Sequence, residues 1–190
     1  MEISKQYTFI DLFSGAGGMS YGFEMAGFKP LLAIDNWQDA LDTYKRNNPG
    51  VDTLCEDLST ADVGRIVDKY NLKNVDLIVG GPPCQGFSVA GKRIVDDVRN
   101  KLYKSFVSFV KECKPKVFVM ENVPNILSIG KGQIRDSIIS DFSELGYDVE
   151  CRILTASDFG VPQNRRRAIF VGTLQRRFSF PSPTVIDKVT

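Results

Sequence analysis

Residues 80–88 read Gly-Gly-Pro-Pro-Cys-Gln-Gly-Phe-Ser and follow the apolar run Val75-Asp-Leu-Ile-Val79. Such a run has the character of a buried strand of a parallel sheet. Cys84 therefore falls just past a strand end, on the rim where open α/β sheets bind their ligands. Pro82 and Pro83 stiffen the chain around the cysteine, and the flanking glycines let another molecule approach the backbone closely. This setting suits presentation of a nucleophilic thiol; a chance cysteine in a strand-end turn is the other reading the stretch allows. The sequence contains no histidine, which removes every Ser-His or Cys-His nucleophile pair. If Cys84 reacts, another group must move the protons.

Further candidates lie at other strand ends. Asp11-Leu-Phe-Ser-Gly-Ala-Gly-Gly18 follows the first apolar run. Gly15, Gly17 and Gly18 allow a tight turn and close approach of a ligand, although the spacing differs from the Gly-x-Gly-x-x-Gly of dinucleotide binders. Asp35 ends the second strand candidate about twenty residues later, where a carboxylate can accept both hydroxyls of a ribose or can cap the following helix. Glu56-Asp57 follows the third strand candidate and could accept an adenine amino group or be a solvated loop. Taken together, these features point to an adenosine-containing cofactor. Glu121, in Met120-Glu-Asn-Val-Pro124, is a candidate for proton transfer or for a structural ion pair. Three arginines, 165–167, open the last strand candidate. Strand alternation sends Arg165 and Arg167 to one side and Arg166 to the other, so one face could hold a paired guanidinium site for a phosphate or a carbonyl; a solvated charge run is the other reading.

These residues need a scaffold of alternating strands and helices. Strands are expected at Tyr7–Phe13, Pro30–Asp35, Val51–Leu54, Val75–Val79, Lys116–Glu121, Asp148–Leu154 and Ala168–Gly172. Helices are expected at Gly18–Ala26, Trp37–Asn47, Ala61–Tyr70, Lys101–Cys113 and Gln133–Leu145. The alternation predicts an α/β fold with a doubly wound, mostly parallel sheet. The last two strands are joined by a loop of about a dozen residues without a helical period, which permits an antiparallel last strand.

Bulk properties set limits. The 190 residues fit one domain, and 25% charged with 43% apolar residues is ordinary for a soluble globular protein. A net charge of +1 provides no global basic field, so contact with nucleic acid must come from local clusters. The four cysteines form no Cys-x-x-Cys pair, which argues against a zinc site or a disulfide framework and leaves no metal expected. With no apolar span long enough for a membrane and no signal peptide, a cytoplasmic location is expected. Phe178-Ser-Phe-Pro-Ser-Pro-Thr184 reads as an extended, proline-stiffened exit from the domain.

The chain resembles the cytosine-C5 DNA methyltransferases. Phe9-Ile-Asp-Leu-Phe-Ser-Gly-Ala-Gly-Gly18 is similar to their first motif, Gly81-Pro-Pro-Cys-Gln-Gly-Phe-Ser88 to their catalytic motif, Glu121-Asn-Val123 to the glutamate motif and Gln163-Asn-Arg-Arg-Arg167 to the arginine motif. The four occur in the family's order and cover roughly residues 7–184. The resemblance implies a class I S-adenosylmethionine-dependent (Rossmann-like) domain at 1–184 with a short tail at 185–190. It implies a catalytic set of Cys84, Glu121, Arg165 and Arg167. Cofactor contacts would come from Asp11, Phe13, Gly15, Gly17, Gly18, Asp35, Asn36, Trp37, Asp57, Leu58 and Pro82, with Phe13 and Leu58 flanking the adenine and Asp11 and Gly17 near the methionine. Gln85, Ser88, Lys92, Arg93 and Arg99 would meet double-stranded DNA from a loop that closes over a flipped-out base.

Two departures stand out. Where some members place an aromatic directly after the ribose-binding acid, this chain has Asn36, with Trp37 one residue later. The family also continues beyond Phe-Pro-Ser-Pro-Thr into a target-recognition domain and a closing helix. Their absence here implies a second polypeptide partner carrying them, in a prokaryotic or phage restriction-modification setting. A truncated, inactive cofactor-binding remnant and a regulatory DNA-binding module are the competing readings; the presence of Cys84, Glu121 and Arg167 argues against the latter. Gly86 fits the DNA-directed motif, whereas the transfer-RNA branch tends to carry proline there.

Overall fold

The computed structural model describes residues 6–83, 101–175 and 177–185. Among them, strands form at β1 (Thr8–Leu12), β2 (Lys29–Asp35), β3 (Asp52–Cys55), β4 (Leu77–Gly80), β5 (Val117–Asn122), β6 (Asp148–Thr155) and β7 (Arg166–Thr173). They make one sheet in the order β3-β2-β1-β4-β5-β7-β6. β1 pairs in parallel with β2 and β4, β2 with β3, and β4 with β5, while β7 runs antiparallel to both β5 and β6. The chain winds outward in both directions from β1 and β4, so the crevice between their C-terminal ends is the topological switch point.

Period-2 alternation divides the sheet residues between two faces. Ile10, Leu12, Leu32, Ile34, Ile78, Phe118, Met120, Ala168 and Phe170 point into the larger core. Helices α3 (Val63–Lys69), α4 (Lys101–Cys113) and α5 (Gln133–Glu144) cover that face. Its centre is aromatic: the Phe118 and Phe142 ring centroids lie 4.0 Å apart, with Phe106 and Tyr147 edge-on to Phe118 at 6.1 and 5.3 Å. On the opposite face Phe9, Leu77 and Val79 pack against Met19, Phe23 and Phe28. Helices α1 (Gly18–Met25) and α2 (Gln38–Asn47) lie on this side.

The expected alternation of elements is observed. β7 starts two residues earlier than the apolar pattern suggests, because its pairing with β6 continues to Arg167 opposite Leu154 and Arg166 opposite Thr155. The segment after β7 packs back on the sheet instead of leaving it. Phe180 is buried, Arg152 lies 5.2 Å from its ring, and the Thr184 amide donates to the Asp158 carbonyl at 2.9 Å. Among the described residues no helix is long and apolar enough to cross a membrane.

Gly80 shows what holds the switch point together. A Cβ at this position would lie 2.3 Å from the Leu12 carbonyl oxygen and 3.1 Å from Phe106. The glycine therefore serves close strand packing at this point. G80A is expected to destabilise the fold by about 3 kcal/mol or more, because the clashing atom is backbone and cannot rotate away. G22A on α1, where an added Cβ meets nothing within 4 Å, should stabilise by about 0.5–1 kcal/mol. Chemical denaturation of the two variants checks the contrast.

Candidate active site

The rim residues of β1, β4, β5 and β7 converge because these four strands are neighbours and their odd-numbered positions share the α1 face. On β5, Glu121 stands opposite Ile169 of β7. Two residues away on the same face, Arg167 is the diagonal partner of Glu121, within reach of a long side chain. Its Nε lies 2.7 Å from Glu121 Oε1, although that N–H makes no aligned hydrogen bond. Arg167 Nη1 donates to the Arg166 carbonyl at 2.8 Å, which fixes the guanidinium in place. Arg165, one residue before the strand, donates from Nη2 to the same Oε1 at 3.1 Å. Two cations thus converge on one carboxylate oxygen, and Oε2 faces Gly81. The sheet brings Glu121, Arg165 and Arg167 together as the alternation argument requires.

A cleft next to this cluster runs along the ends of β1 and β4, bordered by Asp11, Phe13, Gly18, Gly81, Glu121 and Arg165. It continues, across Phe13 and Gly81, into a second cleft lined by Asp35, Asn36, Glu56, Asp57, Leu58 and Pro83. Asp35 lines this second cleft without capping α2, whose N-cap is Trp37: Oδ2 accepts the Gly15 N–H at 2.8 Å and Oδ1 accepts the Trp37 N–H at 3.0 Å, ahead of α2. These bonds tie the glycine turn to the start of α2 and orient both oxygens along the cleft. Asp57 likewise accepts the Ser59 amide at 2.8 Å in a local turn. Leu58 is buried, and its carbonyl accepts the Ser105 hydroxyl.

Gly15 and Gly17 have φ of 53° and 94°, and Phe13 has φ of 60°. A phenylalanine in the left-handed region is uncommon and costly, so the surrounding turn must hold it there. Here it sets the ring where the two clefts meet. Of the other expected contacts, Asn36 lines the second cleft, whereas Trp37 is exposed at the N-cap of α2 and lines neither. Pro82 is buried, with its carbonyl bonded by Asn122 Nδ2 at 2.9 Å, and its neighbours Gly81 and Pro83 line the clefts instead. Their part follows from which residues of the turn face outward, which composition alone does not reveal. Cys84, Gln85, Ser88, Lys92, Arg93 and Arg99 lie outside the described residues. Among the described residues no cluster of His, Cys, Asp or Glu has the form of a metal site.

Asp11 is the most perturbed acid of the site. Burial pushes its carboxyl up to about 7, against the pull of the Ser20 hydrogen bonds and with a further rise from Asp35. The Ser20 hydroxyl donates to Asp11 Oδ2 at 2.6 Å, and the Tyr44 hydroxyl donates to Ser20 Oγ at 2.9 Å. Sequence reasoning names neither Tyr44 nor Ser20 for the site, because no local pattern in α1 or α2 marks them as partners of Asp11.

Residues 7–188 match the C-5 cytosine-specific DNA methylase family, and the chain belongs to it. It is 46% identical over 181 residues to the type II methyltransferase M1.HphI of Haemophilus parahaemolyticus, covering 93% of this chain and 49% of that protein. Similarity to the type II methyltransferase M.AquIA of Picosynechococcus is 41% over 187 residues, covering 92% of this chain and 75% of that protein. Among solved structures, a DNA modification methyltransferase encoded within an E. coli prophage superposes with a TM-score of 0.82 at 37% identity, covering 97% of this chain and 53% of that chain. The chain spans about half the length of M1.HphI and of the prophage protein.

The buried acid generates a stability test. Between about pH 4, where an unfolded Asp titrates, and about 7, where folded Asp11 does, the folded chain holds the extra proton. Stability contributed by this group therefore falls as pH rises through that window and is level above it. From pH 5 to pH 8 the wild type should lose about 2–3 kcal/mol relative to D11N. Denaturation curves at both pH values test this, and a pH-independent difference contradicts it.

Proposed function

We propose that this chain is the catalytic part of a DNA (cytosine-5)-methyltransferase of the restriction-modification kind. The observation that carries the reading is Glu121 clasped by Arg165 and Arg167, beside a cleft whose far end offers the Asp35 and Asp57 carboxylates. The clefts fit S-adenosylmethionine: Asp35 would take the ribose hydroxyls, Asp57 the adenine amino group, and Phe13 and Leu58 the adenine faces. The turn of Gly15, Gly17 and Gly18 would admit the amino-acid end beside Asp11. When bound, that cofactor supplies an electrophilic methyl group. Asn36, which lines the adenosine end, would replace an aromatic stack there, with Trp37 set outside it.

The protein's part is to make cytosine C5 nucleophilic. Cys84 thiolate attacks C6 and forms an S–C6 bond, so the C5–C6 π electrons move towards C5 and the ring carbonyl. Glu121, through the oxygen facing Gly81, holds a proton at ring N3 while charge builds on the base, and Arg167 holds the O2 carbonyl. Arg165 keeps Glu121 oriented. After C5 has gained its methyl group, a base takes the C5 proton, the C6–S bond breaks, and the thiolate and the original ring pattern return. The target cytosine must leave the duplex stack, at a cost of a few kcal/mol. Gln85, Ser88, Lys92, Arg93 and Arg99 would contact the DNA around it.

None of the residues assigned above reads base edges, and we assign that readout to a separate recognition segment, which can be supplied as a second polypeptide. About half of M1.HphI and of the prophage protein lies outside the match, which leaves room in those proteins for such a segment. The 190-residue protein alone should show little methylation, restored when a polypeptide bearing a recognition domain is added. C84S should abolish the restored turnover. Incorporation of labelled methyl into duplex DNA measures both; robust sequence-specific methylation by the isolated chain overturns the partner reading, and unchanged turnover by C84S overturns the covalent step.

A further inference from the structure

Three polar side chains, each almost wholly shielded from solvent, form one line through the α1 face: Asp11 on β1, Ser20 on α1 and Tyr44 on α2. Tyr44 also underlies the glycine turn, since a Cβ on Gly17 would lie 2.7 Å from its ring. One tyrosine thus supports the cleft twice, by its ring beneath Gly17 and by its hydroxyl through Ser20 to Asp11. The cleft above contains two acids, matched differently. Glu121 has Arg165 and Arg167, whereas no described lysine or arginine is within ion-pair distance of Asp11, whose partner is a neutral hydroxyl. A buried carboxyl without a cation is costly to ionise and is a ready counter-ion for a cation that a ligand brings.

We propose that Tyr44 is a positioning residue that, through Ser20, holds Asp11 to receive the ammonium of the cofactor's amino-acid end, so that binding expels one proton. The proposal rests on the S-adenosylmethionine reading of the clefts. In the step, the Asp11 carboxyl O–H breaks, its proton leaves to solvent, and the carboxylate pairs with the incoming ammonium; no other bond changes. Burial pushes the Asp11 carboxyl up to about 7, which places the effect near neutral pH. The charged or titratable groups facing the trio are Asp35 from β2, Glu24 from α1, and Glu121 and Arg165 across the cleft. Glu24 is itself raised by burial, with a buried Oε1 that has no hydrogen-bond partner. E24Q therefore serves as the control.

Calorimetric titration of the 190-residue protein with S-adenosylhomocysteine, in buffers of different ionisation enthalpy between pH 5.5 and 8, tests the proposal. Close to one proton should be released per ligand at pH 6 and almost none at pH 8. Affinity should rise about tenfold per pH unit up to about 7 and then level. E24Q should keep this profile, whereas D11N should bind at least tenfold more weakly with no proton release. Y44F keeps the ring under Gly17 but leaves Ser20 a weaker donor, so its profile should shift to higher pH and its affinity at pH 7 should fall several-fold. Binding with a flat pH profile and no proton release overturns the inference and leaves the cofactor reading intact. A Y44F profile identical to wild type overturns the role of Tyr44, and failure of the wild type to bind the ligand at any pH overturns the cofactor reading itself.

Discussion

The antiparallel placement of β7 between β5 and β6 is the constraint on which the site depends. An entirely parallel continuation would carry each strand's C-terminal end to the same rim, and the start of β7 would lie at the far edge. Reversed, β7 begins at the rim where β5 ends, so Arg167 arrives beside Glu121 by register alone and Arg165 follows from the residue just before the strand. The pairing places the two groups diagonally on one face, within reach without any loop having to hold them. Strand positions are more precise than loop positions, which suits chemistry that depends on sub-ångström placement.

The other half of the site depends on the switch point. β1 and β4 approach so closely that Gly80 tolerates no side chain, and the two chains then part to leave the crevice in which the clefts meet. Asp35 and Phe13 set the shape of that crevice. The carboxylate bonds the Gly15 and Trp37 amides, and the left-handed Phe13 turns its ring into the gap. The aromatic core on the opposite face, centred on Phe118 and Phe142, packs behind β5, the strand that carries Glu121.

Much of this was legible in the sequence, for identifiable reasons. Helix Lys101–Cys113 and the alternation of strands and helices follow from periodicity, and the shared facing of Arg165 and Arg167 follows from alternation alone. Asp35 was legible as either a cap or a ligand group; in the fold it bonds the Gly15 and Trp37 amides at the edge of the second cleft and does not cap α2. What escaped was whatever depends on contacts distant in sequence. The bonding of Tyr44 through Ser20 to Asp11 links three elements, and no local pattern marks a buried tyrosine as polar in role. The outward facing of Gly81 and Pro83 instead of Pro82 depends on turn geometry after β4. Packing of Phe180 against the sheet was hidden by the prolines around it, which read as an exit.

The central claim is that this rim converts Cys84 into a transient covalent partner of cytosine, and trapping that bond tests it most directly. A duplex carrying 5-fluorocytosine at the target has no C5 proton to lose, so elimination stops and the S–C6 bond persists. With cofactor and the recognition polypeptide present, mass spectrometry of the digested complex should show the fluorinated base attached to the peptide containing Cys84, and no such species with C84S. Completed methylation without an adduct, or an adduct at Cys55, Cys113 or Cys151, would contradict it.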